Sequence, residues 1–290
     1  MNISVGVMAY NEESNIGNLL NAILNQKTKK ANIKEIIVVS SGSTDKTNEI
    51  VNNFSKKNKK IKLIVEKERK GKSEAINLFL KKAKSKILVL ESADTIPEIN
   101  SIENLCSRLS SPKVGIGTGR FIPIKSNKKL MNFIVQLQWK LHHLISKENP
   151  KFGELIAFRN IINKIPRTAV DEEEIASIIK KKGLKLIYEP KAIVYNKGPE
   201  TIKDFIRQRR RIYAGHLELR KRTNHSASTM NKTLLLKTVI KYSFRNISKI
   251  LHLLIAIILE TIARFLGWID FKVKKDHSIW KISITTKKIR

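Results

Sequence analysis

Acidic residues are scarce in this 290-residue chain: 25 Asp and Glu stand against 57 Lys and Arg, a formal net charge of +32. Such an imbalance implies a polyanionic neighbour, whether nucleic acid, anionic lipid headgroups or a phosphorylated substrate, unless the lysines only solubilise the surface. Cysteine is nearly absent. The lone Cys106 excludes an internal disulfide and fits a reducing compartment. No signal peptide opens the chain, and the strand-like "ISVGVMAY" starts almost at the first residue, so a folded, cytosolic N-terminal region is expected. No internal repeat is visible. The length suits one large core, or one domain with an appendage.

What is present is a regular alternation over the first hundred residues. Apolar strand-like runs lie at Ile3–Ala9, Ile36–Val39, Ile61–Val65 and Ile87–Leu90. Helical spacing falls between them, at Ile16, Leu19, Leu20 and Ile23, at Thr47–Phe54 and at Ala75–Leu80. Strand–helix–strand alternation with short connections predicts an α/β fold with a mostly parallel sheet flanked by helices. Such sheets bind ligands beyond the C-terminal ends of their strands, which places "AYNEESN", "SSGSTDKT" and "ESADTIP" on one rim. Further on, "VQLQWKLHHLI" is helical by spacing and "GELIAF" reads as a strand. "VDEEEIASIIKKKG" reads as a helix ending at Gly183, and "LKLIYEPKAIVYN" as a strand, a turn and a strand.

Several stretches carry chemistry. "VSSGSTDKT" places Gly42 between a strand and a helix, with Ser43 or Thr44 placed to cap that helix; its N–H groups face a phosphate or a ribose, or the turn is only a structural cap. "ERKGKSEAIN" puts Arg69, Lys70 and Lys72 at a helix start, as partners for a diphosphate or as a solvated basic turn. Asp94, at the end of a buried strand on the rim, suits a divalent metal. Glu91 is expected to face the core edge or a basic neighbour. The acids of "VDEEE" (170–174) either complement the helix dipole or accept a proton from a hydroxyl nucleophile. Thr201–Arg222 reads as a basic helix with Gln208 and Arg211 on one face. Its arginine run suits a diphosphate clamp or a membrane surface; nucleic acid ranks last, because no aromatic platform or nucleic-acid motif accompanies it.

The last informative segment is "ILHLLIAIILETIARFLGWI" (250–269), about 30 Å long as a helix and close to a bilayer's hydrocarbon thickness. His252, Glu260 and Arg264 draw one polar stripe along it, and Glu260 is placed to pair with Arg264. Mid-span charge is expensive in lipid. The pattern fits an interfacial helix, a membrane-inserted hairpin whose stripe packs on "LLLKTVI" (234–240), or a helix docked on the α/β domain.

Taken in order, these pieces resemble the family 2 inverting glycosyltransferases of the GT-A fold, over residues 3 to about 220. "VMAYNEE", "VVSSGSTDKT", "GKSEAIN", "ESADTIP", "GELIAFR", "VDEEE" and "QRRRIY" follow the family's sequence of segments. The closest likeness is to archaeal membrane-associated members, which share "ARFLGWID"-like and "WKISITTKK"-like C-terminal stretches. The resemblance implies a catalytic domain over 1–222, with a nucleotide-sugar half to about 100, an acceptor half to about 200 and an interfacial helix over about 201–222. Residues 223–290 would form a membrane-associating helical region and basic tail.

It further implies a nucleotide-diphosphate sugar as donor, a divalent metal (Mg or Mn), and a lipid-linked or membrane-proximal acceptor. The protein would work at an anionic membrane surface on the cytosolic face of the cell membrane. Glu172 falls at the base and Asp171 at the acid preceding it; Asp94 is the metal acid. Donor contacts fall on Ala9, Tyr10, Asn11, Glu12, Ser40, Ser41, Lys72, Ser92, Ala93, Gln208, Arg210 and Arg211. The chain departs from the family at Ser92 (first metal acid), Ser40 and Ser41 (acidic pair), Asn196 (histidine) and Ile212 (tryptophan). These departures leave a second reading, a non-catalytic lipid- or nucleotide-binding scaffold on a degenerate GT-A fold.

Overall fold

The computed structural model describes residues 1–280 and 286. Most of the "WKISITTKK" stretch therefore lies outside the described residues. The elements run β1 (Asn2–Ala9), α1 (Ile16–Leu24), β2 (Asn32–Ser41), α2 (Thr47–Lys57), β3 (Ile61–Glu66), α3 (Lys72–Lys82), β4 (Ile87–Ser92) and β5 (Thr95–Pro97). They continue with α4 (Ser101–Ser107), β6 (Val114–Pro123), α5 (Lys129–Glu148), β7 (Leu155–Arg159), α6 (Asp171–Lys181), β8 (Lys185–Asn196), α7 (Ile202–Thr223), α8 (Lys232–Arg245) and α9 (Ile250–Lys272).

One eight-stranded sheet has the order β3-β2-β1-β4-β7-β6-β8-β5. β1 pairs in parallel with β2 and β4, and β2 with β3; β7 enters antiparallel between β4 and β6. The sheet is mixed and mostly parallel, as expected. Its inner strands are continuous apolar runs because both faces are covered. Val5, Val7 and Val89 pack with α1, α2 and α4 on one face. Leu88, Leu90 and Phe158 pack with α3 and α6 on the other. Gly6 is required by that second layer: a Cβ there would meet the Phe79 ring of α3 at 2.7 Å.

Three local expectations change. Within 184–196 there is one strand, Lys185–Asn196, not two: Thr118 faces Tyr188 while Arg120 faces Ile193, so the extra residues around Pro190 are absorbed as a bulge. The cap of α2 is neither Ser43 nor Thr44. Asp45 accepts the Thr47 N–H at 3.0 Å, because Ser43 and Thr44 are engaged with Asn11. Third, the C-terminal helix has a different main neighbour. α9 lies along α7, with α5 completing a third cluster (Met131, Ile134, Leu137, Phe205, Leu253, Leu259) and Val239 of α8 only flanking it. The pairing of Glu260 with Arg264 forms, at 2.8 Å, and Glu260 also receives Arg209 of α7. Gly267 permits the close approach, since a Cβ there would meet the Arg210 carbonyl oxygen at 2.5 Å.

Candidate active site

The strand ends converge on a cavity of about 980 Å³. From β1 and its loop come Ala9, Tyr10 and Glu12; from β2, Ser41; from β4 and the turn after it, Ser92, Ala93 and Asp94. α3 adds Lys72 at its first turn, α6 adds Asp171 and Glu172, and α7 adds Gln208, Arg210 and Arg211. Thirteen of the fifteen expected positions thus share one cavity. Asn11 and Ser40 do not line it. Asn11, at φ +52°, ties two loops together: its N–H donates to Ser43 Oγ and its Oδ1 accepts from the Thr44 N–H. Ser40 is fully buried and donates to Ser43 Oγ at 2.8 Å, because strand alternation sends it away from Ser41.

The four acids at the start of α6 go to four different places. Asp171 is buried and accepts from Ser73 Oγ at 2.6 Å; burial, with Glu172 beside it, pushes its pKa up to about 6. Glu172 turns into the cavity and accepts from Lys72 Nζ at 2.6 Å. Burial opposes its charge, yet the Lys72 ammonium outweighs burial and holds the carboxyl below its ordinary range. Glu173 is locked by Lys151 at 2.9 Å and by the Phe152 N–H, and Glu174 by Arg222. Asp171, Glu172 and Glu173 all border the cavity, but Asp171 and Glu173 are buried against fixed partners; Glu172 is the partly open one, its carboxylate held by the flexible Lys72.

Lys72 also donates to Ser92 Oγ at 3.1 Å. Its ammonium, despite burial, is held charged by Glu172 and Asp171. Beside it the cavity wall carries Glu154, from the loop ahead of β7, which the sequence reading passed over as the start of an apolar strand. Glu154 accepts from Asn196 Nδ2 at 3.0 Å. Burial and then the Asp94 charge push its pKa up to about 8. Asn196 Oδ1 is buried with no hydrogen-bond partner among the described residues. Glu91 sits beneath this wall in the core, bound by the Thr95 hydroxyl, and burial raises its pKa strongly.

The basic face is less uniform than "QRRR" suggests. Arg209 is held by Glu260 and Arg210 by Asp270, both from α9, so the Arg210 guanidinium is engaged by a carboxylate although it lines the cavity. Arg211 donates to the Ala169 carbonyl at 2.8 Å and lies 4.1 Å over the Trp280 ring; burial lowers its pKa to about 10. Arg69, 4.0 Å over the Tyr10 ring, is a further cation on the rim.

The glycosyl transferase family 2 model matches residues 4–172, more than half of the chain. The chain belongs to glycosyl transferase family 2. This family 2 chain is 29% identical over 234 residues to the probable glycosyltransferase YdaM of Bacillus subtilis, covering 74% of the chain and 55% of YdaM. It is 27% identical over 227 residues to the poly-beta-1,6-N-acetyl-D-glucosamine synthase of Staphylococcus aureus, covering 72% and 53%. The chain thus spans about half the length of these curated relatives. Among solved structures, the mannosyltransferase PcManGT from Pyrobaculum calidifontis, in complex with GDP-Man and Mn2+, superposes with a TM-score of 0.68 at 21% identity. That superposition covers 94% of this chain and 88% of that one, and shows a shared fold.

The described residues contain no cluster of three His, Cys, Asp or Glu able to cage a divalent metal. Asp94 and Glu154 nevertheless crowd two acids on one wall, where a cation relieves their repulsion. Hard divalent ions often take one or two carboxylates and complete their shell with substrate phosphates and water. The residues present fit a metal that arrives with a diphosphate.

Proposed function

We propose that this chain is an inverting glycosyltransferase that moves a sugar from a nucleotide-diphosphate donor to a lipid-linked or membrane-proximal acceptor. The observation that carries the reading is Glu172: an ionised carboxylate on the wall of a cavity whose rim supplies Asp94, Lys72 and Arg69. The acceptor hydroxyl gives its proton to Glu172, and its oxygen forms the new bond at the anomeric carbon. The bond to the diphosphate oxygen breaks, and its electron pair leaves with the nucleotide diphosphate. Lys72, Arg69 and Arg211 are the cations available to that developing charge. A bound Mg or Mn, held by Asp94 with Glu154 beside it, would supply Lewis-acid neutralisation of the diphosphate. The donors named for PcManGT (GDP-Man with Mn2+) and for the Mycobacterium tuberculosis glucosyl-3-phosphoglycerate synthase (UDP-Glc with Mn2+) support this choice of donor class.

Residues 1–222 are the catalytic part in this reading, and 223–290 hold it at a membrane. Ile247–Lys272 is long and apolar enough, by length and composition, to cross a bilayer. Its buried positions (Leu253, Ala256, Leu259, Ala263) face the domain, while Leu251, Leu254, Ile258, Ile262 and Phe265 are bare. The Arg209–Glu260 and Arg210–Asp270 pairs hold it along α7. We therefore lay the bare face in the interfacial layer of an anionic membrane at the cytosolic surface, with the chain's lysines meeting the headgroups. Together with "QRRRIY", this favours the membrane-associated branch of the family.

The test is release of nucleoside diphosphate from a panel of nucleotide sugars with Mn or Mg, with and without membrane lipid extract. One donor class is expected to turn over, faster with extract. Nucleotide binding without turnover on any donor or extract would replace this reading by the scaffold alternative, which the Ser92 and Asn196 departures favour. Flotation with anionic and neutral vesicles tests the membrane arm: Phe265→Asp should lower binding to anionic vesicles, and equal binding to neutral vesicles would remove the electrostatic part.

A further inference from the structure

Two lysine–glutamate pairs sit side by side at the start of α6, and they are built differently. Lys151 Nζ donates both to Glu173 and to the Phe152 carbonyl, and the Glu173 carboxylate is closed off from solvent and held by three partners: Lys151, the Phe152 N–H and His225 Nε2. Lys72 and Glu172 are both partly open to the cavity, at 20% and 15% side-chain exposure. The second contact of Lys72 is a neutral hydroxyl, Ser92 Oγ, two residues before Asp94. The ammonium therefore stands between the proposed base and the wall where a diphosphate would lie. A lysine is a point charge on a flexible four-carbon stem, able to change partners by rotating that stem.

We propose that Lys72 is a positioning residue that couples donor binding to the availability of the base. Without donor, its ammonium is held by Glu172; a diphosphate seated beside Asp94 competes for the same ammonium and draws it toward Ser92. Glu172 then loses its hydrogen-bonded cation, and its oxygen is free to accept the acceptor's hydroxyl. Serine at position 92 is what permits the exchange, because a carboxylate there would hold Lys72 on the rim permanently. The exchange breaks one ion pair and makes another, so it needs no reactant beyond the donor. Lys151 is excluded from this role by its carbonyl contact and its enclosed partner.

The inference rests on the glycosyltransferase reading, and its test separates the two. Binding of UDP and of GDP is measured by calorimetry, with Mn2+ and with EDTA, for wild type, Glu172→Gln, Lys72→Met and the double variant. If Glu172 competes with diphosphate for Lys72, Glu172→Gln tightens nucleotide binding about tenfold, while Lys72→Met weakens it about tenfold, roughly 1.4 kcal/mol each way. In the Lys72→Met background the Glu172 change then has no further effect, since the shared cation is gone. Unchanged or weaker binding in Glu172→Gln overturns the proposal, as does equal tightening in both backgrounds, which is plain charge repulsion. Lys72→Arg keeps the charge but replaces the point cation by a rigid fork, so partial rescue of nucleotide affinity is expected. If Lys72→Met does not fold by its melting curve, Lys72→Gln supplies the uncharged background, and the same outcomes decide. No binding of UDP or GDP by wild type would instead sink the glycosyltransferase reading; binding and turnover with no tightening sink only the coupling.

Discussion

Glu172 and Glu154 face the same cavity, and their surroundings set them in opposite states. Burial pushes both toward the neutral form. At Glu172 a lysine ammonium 2.6 Å away overcomes burial and keeps the carboxylate ionised. At Glu154 the largest influence after burial is another acid, Asp94, and the pKa climbs to about 8. A buried carboxylate takes its character from the sign of the dominant charge nearby, because such a charge in a low-dielectric wall rivals the cost of burial. One wall thus carries a charged acid suited to take a proton, and the other a pair of acids suited to take a cation.

The largest expected effect removes the charged member. Glu172→Gln should lower transfer by about 10³-fold while nucleotide binding persists, since general-base assistance contributes roughly 10²–10⁴. Full activity in this variant, with loss in Asp171→Asn, would move the base by one residue. Next, Asp94→Asn should weaken Mn2+-dependent nucleotide binding roughly 100-fold, about 2.7 kcal/mol, by calorimetry. The same change should lower the Glu154 pKa toward its ordinary value, read by carboxyl NMR; an unmoved Glu154 would show that burial alone raises it.

A smaller effect turns one wall toward the other. In Lys72→Met the cation that lowers the Glu172 pKa is gone and burial dominates. The acidic limb of the kcat/KM profile, which reports the free enzyme in which Lys72 holds Glu172, then moves to higher pH. A limb that stays put would mean Lys72 does not set the base. Smallest is Ser92→Asp, which adds a carboxylate beside Asp94 but also gives Lys72 a second acid; metal affinity should rise less than tenfold, about 1.4 kcal/mol at most. No change at all would mean that position 92 does not face the metal.

Much of the framework was legible before any coordinates. Ile87–Leu90 falls inside β4 and Ile3–Ala9 inside β1, because a run of apolar residues without alternation suits a strand covered on both faces. The site was legible where a residue sits at the end of such a strand, as Asp94 does, or opens an amphipathic helix, as Asp171 and Glu172 do. It was illegible where the deciding partner is remote. Nothing near Arg210 announces Asp270, sixty residues on, and nothing near Glu154 announces Asp94 or Asn196. Ser40 and Ser41 look equivalent in sequence, yet the period-two geometry of β2 sends one inward and one to the rim.

By itself, the sequence determined the alternating α/β frame, the rim at its strand ends, and the excess of positive charge, because these follow from local hydrophobic period and composition. Tertiary structure alone decided which of four consecutive acids stays partly open to the cavity, which lysine holds it, and which side of α9 stays bare. Those outcomes depend on contacts between α3, α6, α7 and α9, whose side chains meet only after the sheet and its crossovers bring distant segments together.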